Sequence, residues 1–250
     1  MIMKNLKQKL STGQTVTGLF LQSGCAAIAE LAGGCNYDFV VIDGEHGQGD
    51  ERSIFDQIAR LEKFGTVAIV RIPAYRHEYV KRMLDYGADG ILAPMIESPE
   101  QAQEFARSMR YPPKGTRGMT GIFRAADYNN SFKDYYANAD STLLCAAQIE
   151  SAKGVENVEA IAAVNGIDLL FIGHSDLSID YGCYKQFSDS RIIEAEKRII
   201  AAARKNGKFI GMVLRPNMNL DKYVASGVNF ICLGTDLSII QSALKQIQLN

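Results

Sequence analysis

Two carboxylates, one arginine and one histidine stand where short apolar runs end. Glu150 closes the run from Leu143, and Asp176 follows Leu169–Ile172 after Gly173-His174-Ser175. If those runs are neighbouring strands about 5 Å apart, the two carboxylates can share one divalent ion. Two carboxylates with open positions suit Mg²⁺ or Mn²⁺, which take the rest of their shell from water and substrate oxygens. The same pair could instead cap helices or bridge to Arg71. Arg71 closes Val67-Ala68-Ile69-Val70. Its guanidinium can fork onto a carboxylate or an enolate oxygen, or pair with Glu45 or Glu150. His46 follows Asp43-Gly44-Glu45, and a reference pKa of about 6.5 suits it to moving protons near neutral pH. His77 lies in a polar stretch and reads as a surface residue. His174 precedes Ser175-Asp176. Gly173 to Ser178 reads as a glycine turn entering a helix, whose N–H groups could hold a carboxylate or phosphate. Gly234-Thr235-Asp236-Leu237-Ser238 has the same form and is either a second such turn or plain capping.

These residues need a scaffold that brings strand ends together. Strands are expected near Val16–Phe20, Asp38–Ile42, Val67–Arg71, Gly90–Ala93, Leu143–Ile149, Asp168–Ile172, Phe209–Val213 and Asn229–Leu233. The runs are continuous rather than alternating, as in strands covered on both faces. Helices are expected between them: Ser23–Ala32, Arg52–Phe64, Glu78–Tyr86, Pro99–Met109, Val155–Val164, Arg191–Asn206, Met218–Ala225 and Leu237–Gln248. Ser98-Pro99-Glu100 carries an N-cap, a proline at the first helical position and an acid in the first turn. Eight strand–helix repeats fit a single α/β domain over 1–250, a (β/α)8 TIM barrel, whose sites gather at the C-terminal strand ends. A doubly wound open sheet is the alternative, but no GxGxxG turn follows the first strand. Tyr111 to Asp140 breaks the rhythm. A long irregular connection is usually functional, and it is expected over the barrel mouth.

The chain has 250 residues, 47% of them hydrophobic, with 27 basic and 28 acidic residues and a formal charge of -1. That balance disfavours nucleic acid or an anionic membrane as the main partner. No apolar run approaches the roughly 20 residues of a membrane helix, and Met1 to Thr15 has no leader pattern. The five cysteines, at 25, 35, 145, 183 and 232, form no CxxC pair. They suggest buried thiols in a reducing cytoplasm rather than disulfides or zinc.

Taken in order, Gly18-Leu19-Phe20, Asp43-Gly44-Glu45-His46, Val70-Arg71-Ile72-Pro73, Leu84-Asp85-Tyr86-Gly87-Ala88, Pro94-Met95, Arg110 to Gly118, Gln148-Ile149-Glu150 and Gly173 to Ser178 resemble the metal-dependent pyruvate aldolases. That family includes 4-hydroxy-2-oxoheptanedioate aldolase and 2-dehydro-3-deoxyglucarate aldolase. The resemblance covers nearly the whole chain. It implies a (β/α)8 barrel assembled as a homo-oligomer, commonly a hexamer. It implies that Glu150 and Asp176 hold Mg²⁺, Mn²⁺ or Co²⁺, chelated by the carboxylate and 2-oxo oxygens of a keto acid. Arg71 would steady the enolate oxygen. His46 would pair with Asp85 for proton transfer. Gln148, Gly173, Ser175 and Asp176 would contact the substrate. The implied reaction cleaves a 4-hydroxy-2-oxo acid to pyruvate and an aldehyde. No lysine stands among these motifs, so a Schiff base has less support. The family turn usually reads Gly-Pro-Ala-Asp-Leu-Ser, and His174 and Ser175 depart from it. That departure keeps open a condensing enzyme of citrate-forming type, adding an enolate to a 2-oxo acid such as oxaloacetate. A non-catalytic keto-acid binding protein is a third reading, which the joint presence of His46, Arg71, Glu150 and Asp176 disfavours.

Overall fold

A computed structural model describes residues 6–215 and 218–247. Eight strands form a closed barrel in chain order: β1 (Val16–Leu21), β2 (Phe39–Asp43), β3 (Val67–Arg71), β4 (Gly90–Ala93), β5 (Leu144–Ile149), β6 (Leu169–Ile172), β7 (Phe209–Val213) and β8 (Phe230–Thr235). Every neighbouring pair is parallel, including β1 with β8. The helices are α1 (Leu6–Ser11), α2 (Ala26–Gly34), α3 (Glu51–Leu61), α4 (His77–Tyr86), α5 (Pro99–Ser108), α6 (Phe132–Thr142), α7 (Ala152–Glu156), α8 (Val158–Ala162), α9 (His174–Asp180), α10 (Ser190–Lys205), α11 (Leu220–Ala225) and α12 (Asp236–Gln246). The TIM barrel expected from the strand count is therefore the fold. Of the expected last helix, Gln248 lies outside the described residues.

The caps follow the sequence. Asp50 accepts the Ser53 N–H at the start of α3, and Ser98 accepts that of Gln101 at the start of α5. Each such cap satisfies an amide that the first helical turn leaves over. Thr235 caps α12 in a reciprocal box with Ser238, so the second glycine turn is plain capping. The expected helix Val155–Val164 is instead two short ones. Asn157 interrupts it, donating its side-chain amide to the carbonyls of Glu97 and Lys153, a local bond that competes with helix continuation.

Two apolar layers hold the barrel. The outward strand residues Val40, Ile42, Ala68, Val70, Ala147 and Ile149 are buried against the helices. The inward set, Val16, Phe20, Phe39, Val41, Val67, Ile69, Leu144, Ala146, Leu169, Phe171 and Phe230, fills the bore, and Leu6 and Leu10 of α1 close its N-terminal end. Phe39 and Phe230 stack with ring centroids 3.7 Å apart. Continuing each inward series by two residues gives Gln22 on β1, Asp43 on β2, Arg71 on β3, Gln148 and Glu150 on β5, and Gly173 on β6. Strand alternation alone thus places a polar storey on an apolar floor.

The connection from Tyr111 to Asp140 is neither irregular throughout nor over the mouth. It holds a 3₁₀ turn, Arg124–Asn129, and α6. Because α5 runs back from β4, the chain leaves it at the barrel's N-terminal end and stays there. Arg124 bonds the Tyr86 carbonyl at the end of α4, and Arg110 bonds the Gly166 carbonyl just before β6. Arg117 anchors this segment. Its side chain is fully buried and donates to Asp85 and to the Tyr135 hydroxyl, each at 2.9 Å. The guanidinium lies 4.6 Å from the Tyr111 ring centroid and 5.3 Å from that of Tyr135. Arg117→Met keeps most of the volume but strands both acceptors and loses two cation–π contacts. The expected loss is about 2–3 kcal/mol in urea unfolding, with helical content retained. An unchanged midpoint would show the cluster to be energetically idle.

Candidate active site

Arg71 is the centre of the mouth. Its Nε donates to Asp43 Oδ1 at 2.9 Å and its Nη2 to Asp43 Oδ2 at 2.6 Å. Its Nη1 lies 3.1 Å from Glu45 Oε2. A guanidinium has five N–H donors; the hydrogen bonds to Asp43 commit two of them, and Glu45 Oε2, although close, accepts no hydrogen bond. The Phe20 ring supports the group from the bore, 5.0 Å from the guanidinium carbon. Burial opposes ionisation of Asp43, but the Arg71 hydrogen bonds and charge outweigh it, with help from Gln22 and the His46 amide. Its carboxyl is held below the usual range. The pair is therefore ionised and rigid. Asp43 was named from the sequence only as part of Asp43-Gly44-Glu45-His46 and was given no role of its own. Counting inward by two from Phe39 and Val41 would have found it, had the run not been read as continuous.

Glu150 sits at the end of β5, 2% exposed. Its Oε1 accepts the Met95 N–H at 2.8 Å, and its Oε2 accepts the Gln148 side-chain amide. Burial pushes its carboxyl up to about 7; the like charges of Glu45 and Asp176 add to this, against the Met95 amide and Arg71. Burial also raises Glu45, the neighbouring Arg71 only partly offsetting it. Glu150, Glu45 and Asp176 thus lie close enough to feel one another around a single arginine. A hard divalent cation between Glu150 and Asp176 would relieve that crowding, so the donor set fits such an ion. Among the described residues no three Asp, Glu, His or Cys side chains converge as a closed metal cage. Gln148 Oε1 is buried without a partner, an acceptor left over beside the carboxylates. Met95 holds a positive φ of 51°, unusual for a side chain of its size. That conformation accompanies the amide bond to Glu150.

The turn after β6 carries the remaining site residues. An added Cβ on Gly173 would lie 2.5 Å from both Cβ and Oε2 of Glu150, so only glycine allows β5 and β6 to release their residues this close. Ser175 is exposed and Asp176 half-buried in the first turn of α9. His174, by contrast, leaves the mouth. It is buried and bonds Glu196 on α10 at 2.9 Å, and Glu196 in turn accepts the Tyr223 hydroxyl. The departure from the family turn is thus partly a core anchor and not a new pocket wall.

The expected His46–Asp85 pair does not form within the chain. His46 follows the C-terminal end of β2, its amide bonded to Asp43 and its ring 3.9 Å from Glu45. Asp85 lies in the last turn of α4, just before β4 begins, and is held by Arg117. The two residues are at opposite ends of the barrel.

Gly173→Ala should displace Glu150. Mn²⁺ titration followed by electron paramagnetic resonance should show affinity weakened at least about tenfold with the barrel intact, the scale seen when groups supporting a ligand are lost. Undiminished Mn²⁺ binding would mean that Glu150 is not a ligand.

The chain as a whole is similar to known proteins. A model of the family described as HpcH/HpaI aldolase/citrate lyase matches residues 16–243. A hydroxypyruvate/pyruvate aldolase of Roseobacter denitrificans is 33% identical over 245 residues, covering 98% of this chain and 96% of its own. A 5-keto-4-deoxy-D-glucarate aldolase of Klebsiella pneumoniae is 33% identical over 241 residues, 96% of this chain and 94% of its own. Among solved structures, a family member from Burkholderia cenocepacia superposes with a TM-score of 0.92 at 32% identity, over 97% of both chains. The citrate synthase SbnG superposes with a TM-score of 0.88 at 28% identity, over 97% of this chain and 95% of its own. With the model spanning the barrel and these relatives matching it end to end, the chain belongs to the HpcH/HpaI aldolase/citrate lyase family.

Proposed function

We propose that this chain is a divalent-metal-dependent class II aldolase, cleaving a 4-hydroxy-2-oxo acid to pyruvate and an aldehyde and running the reverse addition. The observation that carries the reading is the buried Arg71, braced by Asp43 and aimed into the same mouth as Glu150 and Asp176. Glu150 and Asp176 would hold Mg²⁺, Mn²⁺ or Co²⁺, which as a Lewis acid draws electron density from the substrate's 2-oxo group. Breaking the carbon–carbon bond leaves an electron pair on the pyruvate fragment, and its charge settles on the 2-oxo oxygen. Arg71 has N–H groups not committed to Asp43 that can follow that charge, and its brace means that little reorganisation is needed. The first turn of α9 leaves its leading amides without helical acceptors, so Ser175 and Asp176 can receive the substrate carboxylate beside Gln148. His46, exposed at the rim, takes the proton of the 4-hydroxyl, alone or through water, and a proton returned to carbon 3 of the enolate gives pyruvate. The likeness to SbnG supports a second reading, a citrate-forming condensation, which calls on the same arginine and carboxylates.

A product assay separates the two. Incubated with Mg²⁺ or Mn²⁺ and a panel of 4-hydroxy-2-oxo acids, the protein should release pyruvate, and Glu150→Gln or Asp176→Asn should abolish that release. Release of free thiol from acetyl-CoA and oxaloacetate, with no pyruvate from any panel member, would replace the aldolase reading. Arg71→Lys should lower kcat by roughly a hundredfold, since a point charge cannot reproduce the braced fork. A raised KM at unchanged kcat would limit Arg71 to holding substrate.

We also propose that the chain works as a homo-oligomer, the hexamer that the resemblance implies. Every residue from Ser238 to Ile247 of the last helical segment is exposed, among them Ile239, Ile240, Leu244 and Ile247. A helix with that much uncovered apolar surface is expected to pack on another subunit. Light scattering after size exclusion should report a multiple of 27.5 kDa, and Ile240→Lys with Leu244→Lys should reduce it. A monomer at micromolar concentration would reject this. A cytoplasmic location is proposed on two supports: all five cysteines are free, and no described helix is long and apolar enough to cross a membrane.

A further inference from the structure

Behind Asp43 and Arg71 stands a second tier of contacts that no sequence motif points to. Gln22, the next inward position on β1 after Val16, Gly18 and Phe20, donates its side-chain amide to Asp43 Oδ2 at 3.0 Å. That oxygen is the one that accepts Arg71 Nη2 at 2.6 Å. Asp43 Oδ1, the other oxygen, accepts Arg71 Nε together with the amides of Glu45 and His46. Both lone-pair regions of the carboxylate are therefore occupied, and the plane in which Arg71 must lie is set by all these donors together. Remove Gln22, and Oδ2 keeps a single donor, the arginine itself. The carboxylate is then free to swing about its amide-held oxygen.

Gln22 is itself clamped. Its N–H donates to Asp236 Oδ1 at 2.8 Å and that of Ser23 to Asp236 Oδ2 at 3.1 Å, while its carbonyl accepts the Gln48 N–H at 2.8 Å. Asp236 is the first residue of α12 and is 3% exposed. A buried carboxylate taking two consecutive backbone amides is a fixed point. The chain of contacts runs Asp236, Gln22, Asp43, Arg71, all hydrogen bonds of 2.6–3.1 Å. We infer that Gln22, held by Asp236, is a positioning residue for Arg71: it sets the orientation of the Asp43 carboxylate and so the direction of the guanidinium N–H groups that Asp43 does not take. Its kinetic consequence rests on the aldolase reading; its effect on the arginine does not.

The test uses Gln22→Met, which keeps the length and loses the amide, with Asp236→Asn as a second variant acting one link further back. The reaction-independent readout is the Arg71 Nε–H resonance in a ¹⁵N correlation spectrum, assigned by its loss in Arg71→Lys. In the parent protein it should exchange slowly with solvent. In Gln22→Met it should shift and exchange at least about tenfold faster at an unchanged melting temperature. The kinetic readout is the split between parameters: kcat for pyruvate release should fall about tenfold with KM within about twofold, the pattern of a misaimed transition-state donor. Asp236→Asn should move both readouts in the same direction by less. An Nε–H resonance unmoved in both variants overturns the proposal, as does a raised KM at unchanged kcat, which would make Gln22 a substrate contact. If the parent releases no pyruvate, the aldolase reading fails on that result, and the spectroscopic arm still decides the positioning role.

Discussion

The buried pair of Asp43 and Arg71 is the interaction on which the mouth of this barrel depends. An arginine 6% exposed has to meet an anion, because its desolvation would otherwise cost several kcal/mol. Asp43 meets it with both oxygens, and the backbone amides of Glu45 and His46 finish the job on the carboxylate side. One pair thereby shapes the turn after β2, fixes the guanidinium plane and leaves Glu45 and Glu150 as the excess negative charge. The proposed divalent cation would relieve the crowding of these carboxyls with Asp176.

The two ends of the barrel divide the work. At the C-terminal end, polar residues succeed apolar ones along the same inward column, and the chain's unusual local features gather there: a positive φ at Met95 and a glycine at 173 with no room for a methyl group. At the N-terminal end, α1 plugs the bore and the segment from Tyr111 to Asp140 wraps beneath, pinned by Arg117 between two tyrosines. This is the usual split of stability and function in the fold, with the longest excursion of the chain on the stability side.

Strand identity was legible because the apolar runs are short, β-branched and spaced by capped helices, and strand ends then pointed directly at Arg71, Glu150 and Asp176. Asp43 and Gln22 stayed hidden because each closes or follows a strand that reads as uniformly apolar, although alternation counted from Phe39 or Val16 reaches both. The Tyr111 connection misled, and Asp85 lies away from His46 within the chain, for one reason. Sequence spacing tells how far along the chain a residue lies, not at which end of a barrel a returning helix delivers it. His174 misled in a different way: a histidine beside a ligand position looks like chemistry, and only the packing of α9 on α10 shows its ring turned to Glu196.

The filled bore has a kinetic meaning. Below Arg71 the rings of Phe20, Phe39, Phe171 and Phe230 and the plug of Leu6 and Leu10 leave no rear exit among the described residues. The site is a cul-de-sac, and whatever lies against its floor is the first to enter and the last to leave. For the proposed aldolase reaction this would make traffic ordered: the aldehyde would depart past the rim while pyruvate still rested on the arginine, and in synthesis the keto acid would be seated before its partner arrived.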